Sequence, residues 1–310
     1  MTSLFPTSDV QLDPAIADAL AAAGLSAATV AEVVGRALAE DLADGPDVTT
    51  AATIAAGQHG RVAAVPREAG VVAGLPVAAW VFAAVGQGRV QVELLASDGD
   101  VVAIGQPLLS ATGPVRDLLT AERTGLNLLT HLSGIATLTR IWVDTVQPSK
   151  AQIRDTRKTM PGLRALEKYA VRCGGGVNHR MSLSDAALIK DNHVAAAGSV
   201  RRAYELVRAA APQLSIEVEV DTPEQCAEAL DAGAEEILLD NMSLAELRAC
   251  VALAAGRDDV RLEASGGLSL RVAADVAATG VDYLAVGALT HSAPVLDIGL
   301  DLSADLSAGA

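Results

Sequence analysis

Six clusters of polar and glycine residues recur through the second half of the chain: DTRKT (155–159), IKDNH (189–193), EVD (219–221), LDN (239–241), EASGG (263–267) and AVGALTHS (285–292). Taken singly, each has an ordinary explanation, since Asp221 or Asp240 at a strand end serves as readily as a turn residue or helix cap. Six in succession fit that explanation poorly. Their chemistry divides into two kinds. Arg123, Arg157, Lys158, His179, Arg180 and Lys190 gather the cations, and arginine's planar fork suits a carboxylate while lysine acts as a compact point charge. Glu219 and Asp240 supply carboxylates suited to hydroxyl groups or to a metal-bound pyrophosphate, because Mg²⁺ favours a few carboxylates plus substrate phosphates over a full protein cage. Ser265-Gly266-Gly267 is a turn between a strand and a helix, where free backbone N–H groups can cradle phosphate, and Gly287 repeats the device one strand later. Gly174-Gly175-Gly176 follows a helix instead of preceding one, so it reads as a lid or connector, and His291 reads as a structural histidine.

The charge supports a localised anion site. The chain carries 23 Lys and Arg against 38 Asp and Glu, a net charge of −15. Residues 123–190 contain 11 Lys or Arg and 4 Asp or Glu, so that stretch is +7 and the remainder is −22. An acidic protein repels nucleic acid as a whole, while one basic segment can focus field on a small anion. Aromatic residues make up only 2% of the chain, too few for base-stacking platforms. No apolar run approaches the ~20 residues of a membrane helix, and MTSLFPTSDVQLDP lacks the basic and apolar regions of a secretion signal. Three cysteines without CxxC or Cys/His spacing suit a reduced cytoplasm.

Those clusters need elements to hold them. Periodicity predicts helices near 13–23 and 26–41, then short strands at 61–65, 70–74, 90–95, 100–104 and 107–113: a small sheet with flanking helices. A long helical pattern covers 114–147 and bridges to a strand-then-helix rhythm, with strands at 151–156, 186–191, 215–220, 235–240, 260–265 and 281–286. Such alternation means parallel strands with right-handed crossovers, in an open sheet or a closed α/β barrel. Six strands instead of eight imply either a smaller barrel or strands not legible in the pattern. In SIEVEV the apolar residues share one face, which turns Glu217 and Glu219 together into the lumen. Active sites of such barrels lie at the C-terminal strand ends, where the six clusters fall.

Over nearly its whole length the sequence resembles the quinolinate phosphoribosyltransferase family (nicotinate-nucleotide pyrophosphorylase, carboxylating). The resemblance rests on EDLADGPDVTT, AERTGLNLLTHLSGIAT, DTRKTMPGLRALEKYAVRCGGGVNHRMSLSDAALIKDNH, EVEVDT, ILLDNM, EASGGLSL and VDYLAVGALTHS. It implies an N-terminal α+β open-sandwich domain over 1–131 and an incomplete parallel α/β barrel of about six to seven strands over 132–310. It further implies that Arg123, Arg157, His179 and Arg180 hold the carboxylates of quinolinate, with Thr156 beside them and Lys158 and Lys190 near both substrates. Glu219 and Asp240 face the ribose hydroxyls and Mg²⁺ of phosphoribosyl pyrophosphate, while Ser265, Gly266, Gly267 and Gly287 bind its 5′-phosphate. The implied protein is a cytoplasmic homodimer in which Arg123 enters the neighbour's site, with no organic cofactor, nucleic acid or membrane involved. Met160 sits where the family varies.

Two related readings and one distant one compete. Nicotinate phosphoribosyltransferase shares the barrel logic, and a quinolinate-transferase-like protein of molybdenum transport clusters shares the motifs. The density of Arg, His and Lys favours an acid with two carboxylates. SDGDVVAIGQPL resembles the hairpin of biotinyl and lipoyl carriers, but no lysine stands at its turn.

Overall fold

The computed structural model describes Val10 and residues 12–43 and 45–304. The reading of MTSLFPTSDVQLDP as free of a secretion signal therefore falls largely outside the described residues. The strands, in chain order, are β1 (His59–Pro66), β2 (Gly70–Val71), β3 (Gln91–Leu94), β4 (Val101–Val102), β5 (Leu109–Pro114), β6 (Gln152–Arg154), β7 (Ala187–Ile189), β8 (Ile216–Val220), β9 (Glu236–Asp240), β10 (Arg261–Ser265), β11 (Tyr283–Ala285) and β12 (Ile298–Ala304). Among the described residues no single helix is long and apolar enough to cross a bilayer. The chain divides into two compact units. One comprises Met1–Leu138, Met160–Gly174 and Ser292–Ala310, and the other Thr139–Thr159 and Gly175–His291. Residues of the long helix Val115–Thr145 fall in both.

The first unit holds a four-stranded sheet in the order β12-β1-β5-β3, antiparallel throughout, and a small β2-β4 pair. The last strand therefore returns to pair with the first along its whole length, from Gly60 opposite Ala304 to Pro66 opposite Ile298. Helix Leu75–Gly86 (LPVAAWVFAAVG) is apolar on every side and almost wholly buried, which is the pattern expected of a core helix. Its N-terminus has an unusual cap. Gly74 stands there at φ +95°, and Asp98 accepts hydrogen bonds from the N–H groups of Gly74 (2.8 Å) and Leu75 (3.0 Å). Tyr169 donates a third, at 2.7 Å. Asp98 lies in the SDGD turn, so that carrier-like hairpin serves here as a remote helix cap.

All six strands of the strand–helix rhythm are present in the second unit, in one parallel sheet of order β6-β11-β10-β9-β8-β7. Val177 adds a single parallel bridge to Arg154 on the far side of β6. The intervening helices start where the sequence offers caps: Ser199 accepts from Arg202 N–H, Thr222 from Gln225 N–H ahead of Pro223, and Ser243 forms a capping box with Glu246. The sheet curls strongly. β6 and β8 stand four steps apart in strand order, about 19 Å on a flat sheet at the usual strand spacing. Yet Arg154 Nη1 from β6 lies 3.8 Å from Glu217 Oε1 of β8. Only a sheet rolled toward closure brings those side chains together, so the unit is an incomplete α/β barrel with a charged lumen.

Candidate active site

A cavity of about 610 Å³ opens in the barrel unit, and its walls come from the strand ends. Thr156, Arg157 and Lys158 follow β6, and His179 and Arg180 follow the Val177 bridge. Lys190 follows β7, while Glu219, Asp240 and Ser265-Gly266-Gly267 stand at the ends of β8, β9 and β10. Eleven of the thirteen residues expected from the sequence thus line one space. Gly287 is not on the wall but directly behind it: a Cβ there would lie 3.0 Å from Lys158 Cδ, so its bareness leaves room for that side chain. Arg123 is exposed on the long helix, among residues of the other unit and outside the cavity lining.

The cations and carboxylates are arranged in distinct groups. Lys190 Nζ forms a close ion pair with Glu219 Oε2. Asp240 Oδ2 accepts a 2.7 Å hydrogen bond from the side-chain amide of Asn241. Arg180 donates from Nη1 to the carbonyl of Ala186 at 2.9 Å. Burial, and then the nearby Arg157, push the Arg180 pKa down, and Glu217 and Asp185 offset this only in part. Arg157 Nε is buried without a hydrogen-bond acceptor among the described residues. Two guanidinium groups so placed are prepared for an anion supplied from outside.

The glycine turn is built as a cradle. Gly266 and Gly267 have φ of +87° and +60°, a conformation that favours glycine. A Cβ on Gly266 would fall 2.3 Å from Asn241 Oδ1, so the backbone approaches that amide as no other residue could. Asn241 is itself left-handed, at φ 54°, and its N–H bonds to the Ser265 carbonyl at 2.9 Å. Helix Leu270–Ala277 begins just beyond.

Two domain families match: "Quinolinate phosphoribosyl transferase, N-terminal domain" over residues 47–133, and the corresponding C-terminal domain over 135–301. The chain belongs to the quinolinate phosphoribosyltransferase family. It is 57% identical over 277 residues to a nicotinate-nucleotide pyrophosphorylase [carboxylating] of Mycobacterium leprae, covering 87% of this chain and 96% of that one. A probable nicotinate-nucleotide pyrophosphorylase [carboxylating] of Bacillus subtilis is 46% identical over 216 residues, 69% of this chain and 74% of the relative. Among solved structures, NadC from Streptococcus pyogenes superposes with a TM-score of 0.86 at 40% identity, covering 90% of this chain and 98% of that one. Human nicotinic acid phosphoribosyltransferase, at 16% identity and a TM-score of 0.57 over 81% of this chain and 71% of that one, shares the fold alone.

Within this family member, the sequence reading left several site residues unassigned. Leu188, Leu238 and Ala285 give the cavity apolar wall, and Asn241 and Glu263 also face it. The last two lie inside the LDN and EASGG clusters, and Glu263 shares a face of β10 with Ser265, which is a usable signal. Asp155 is wholly buried and accepts from Asn178 Nδ2 (2.6 Å) and the His179 N–H (2.8 Å), tying the two loops together. His179 is largely committed inside the protein. Its Nδ1 accepts from the Arg180 N–H at 2.6 Å, and its Nε2 lies 2.7 Å from Glu217 Oε2.

Two places could attract a metal ion. His179, Glu217 and Glu263 each bring a ligand-type atom within 4.8 Å of the others. Arg154 already fills that role, with Nη1 at 2.9 Å from Glu263 Oε2, so the lumen group is a buried ion-pair cluster. Burial raises both carboxyls, Glu217 and Glu263, to about 7 despite Arg154. Glu219 and Asp240 present oxygen-only ligands on the cavity wall, which suits a hard divalent ion completed by substrate phosphates and water.

Proposed function

We propose that this protein transfers the phosphoribosyl group of phosphoribosyl pyrophosphate to quinolinate, releasing carbon dioxide and pyrophosphate and yielding nicotinate mononucleotide for NAD synthesis. The observation that carries this reading is the coexistence, in one cavity, of Arg157, Lys158, Arg180 and Lys190 with Glu219, Asp240 and the Ser265-Gly266-Gly267 cradle. A twice-charged aromatic acid and a sugar pyrophosphate need those two sets together.

In this mechanism Arg157 and Arg180 hold the two carboxylates of quinolinate, and the His179 ring helps to shape that pocket. Apolar Leu188, Leu238 and Ala285 supply wall against the pyridine ring. Glu219 and Asp240 orient the ribose hydroxyls and would hold Mg²⁺, which neutralises charge on the departing pyrophosphate. The Gly266 and Gly267 N–H groups receive the 5′-phosphate, and Gly287 leaves room for the Lys158 side chain. Lys158 and Lys190 lie where charge leaves the sugar, so they stabilise the leaving group electrostatically as C1 takes on oxocarbenium character. The pyridine nitrogen then attacks C1. Once the nitrogen is quaternised, its positive charge stabilises the electron pair left on the adjacent ring carbon as the C–C bond breaks and carbon dioxide departs, and that carbon then takes up a proton from solvent. Excluding water favours that loss, because water stabilises the carboxylate.

The working protein is proposed to be a cytoplasmic homodimer in which Arg123, exposed on the long helix, completes the acid pocket of its neighbour. The exposure of Arg123 and its absence from the wall of its own cavity support that arrangement. Incubation with quinolinate, phosphoribosyl pyrophosphate and Mg²⁺ should yield nicotinate mononucleotide and one carbon dioxide per turnover. Conversion of nicotinate but not quinolinate would overturn the reading in favour of a monocarboxylate enzyme.

A further inference from the structure

Beneath the cavity the barrel lumen holds a second charged layer, centred on Arg154, a residue with no part in the proposed reaction. Arg154, on β6, is its hub. Its Nη1 lies 2.9 Å from Glu263 Oε2 on β10, 3.4 Å from Glu236 Oε2 on β9 and 3.8 Å from Glu217 Oε1 on β8. Its guanidinium carbon stands 4.6 Å from the ring centroid of Tyr283 on β11. One side chain therefore touches residues from four other strands. The side chains of Arg154, Glu217 and Glu263 are 14%, 4% and 1% exposed, so these pairs are poorly screened by water. Arg154 does not line the cavity, whereas Glu263 and His179 do.

Glu217 and Glu263 converge on one further group. His179 Nε2 lies 2.7 Å from Glu217 Oε2 and 3.8 Å from Glu263 Oε1. The other ring nitrogen receives the N–H of Arg180. A chain of contacts thus runs from Arg154 through two buried carboxylates to the His179 ring, and from there to the backbone that carries Arg180. Without that cation the two buried carboxyls, already held above the usual carboxylate range, either repel or take up protons, and both outcomes discard the ion pairs that fix them. The carboxyls would shift, and the imidazole resting on them would move as well.

We infer that Arg154 is a positioning residue for the acid-binding half of the site: it clamps Glu217 and Glu263, which in turn fix His179 and the start of the Arg180 residue. The inference rests on the reading that Arg180 and the His179 pocket receive quinolinate. The sugar-phosphate half has its own pairs, Lys190 with Glu219 and Asp240 with Asn241, and neither includes Arg154. Loss of the clamp therefore falls on one substrate. A purely structural ion pair would lower stability and treat both substrates alike.

The test uses the full chain and reads KM for both substrates, the calorimetric Kd for quinolinate, and the thermal midpoint. Arg154→Met should raise KM and Kd for quinolinate by about tenfold or more while KM for phosphoribosyl pyrophosphate stays within about twofold, since small misplacements of a binding group are costly. Arg154→Lys, which keeps the charge but loses the fork, should give the same split at about threefold. Adding Glu263→Gln to Arg154→Met removes one of the charges left unpaired and should recover part of the quinolinate affinity. Equal rises for both substrates, or a lowered midpoint with neither KM changed, would overturn the inference. If Arg154→Met does not fold, Arg154→Lys and the double variant decide it by the same split. Failure of the unaltered enzyme to convert quinolinate would instead sink the proposed reaction, leaving the two failures distinguishable.

Discussion

The interior of the first unit and the lumen of the barrel unit are both buried, but they are filled on opposite terms. Around helix Leu75–Gly86 the buried residues include Val77, Trp80, Val81, Phe82 and Val85, and the half-buried Asp98 at its N-terminus is satisfied by three donors. Under the cavity the buried residues include Glu217, Glu263 and His179, held by Arg154. Apolar filling stabilises in proportion to area and tolerates exchange of similar shapes. Buried ion pairs give little net stability, since desolvation offsets most of the attraction, but they fix direction. One interior maintains the fold and the other aims side chains.

Substitutions should separate these two interiors. Phe82→Ala, in the apolar core, should destabilise by about 3–5 kcal/mol in urea unfolding while leaving both KM values of the folded fraction unchanged. A shifted quinolinate KM there would break the contrast. Glu219→Ala should lower kcat/KM for phosphoribosyl pyrophosphate by about 10²–10³-fold with a small change in unfolding midpoint. Unchanged kinetics would remove Glu219 from the sugar site. Arg157→Ala should raise KM for quinolinate by about 10–100-fold and that for phosphoribosyl pyrophosphate far less, as expected for a lost charge-assisted contact. Equal losses would contradict its role.

The smallest effect concerns pH. Burial raises the folded-state pKa of Glu263 to about 7, above its ordinary value of 4.5. The folded form thus binds that proton more tightly than the unfolded one. The resulting stability is fully present below about 4.5 and is lost as pH rises toward about 7. Glu263→Gln should flatten that decline, by on the order of 1 kcal/mol across the window, in urea midpoints measured from pH 4.5 to 7.5. An unaltered slope would mean that the lumen is more solvated than its burial implies.

Local pattern carried much of the site. The alternation in SIEVEV turned Glu217 and Glu219 to one side, and in the structure Glu217 meets the lumen cluster while Glu219 meets Lys190 on the cavity wall. Ser265-Gly266-Gly267 read as a cradle because a strand, a bare turn and a helix follow one another within a few residues. Arg154 was not legible. It sits in the AQIRDT run beside Asp155, and although alternation sets it opposite Ile153, nothing local names its partners on β8, β9 and β10. Helix Leu75–Gly86 was likewise not singled out, since an apolar run without periodicity does not declare its type.

The sequence by itself determined the six-strand rhythm, the polar strand ends and the segregation of positive charge into 123–190, because alternation, turn chemistry and composition act over a few residues. Only the tertiary structure decided that the strand ends share one cavity and that Arg154 reaches β8, β9 and β10. It alone placed 160–174 and 292–304 with the N-terminal sheet. Those outcomes depend on how far the sheet rolls and on which distant strands pair, as β12 does with β1. Pairing of that kind is set by the burial of whole faces against one another, and no short window of sequence contains both partners.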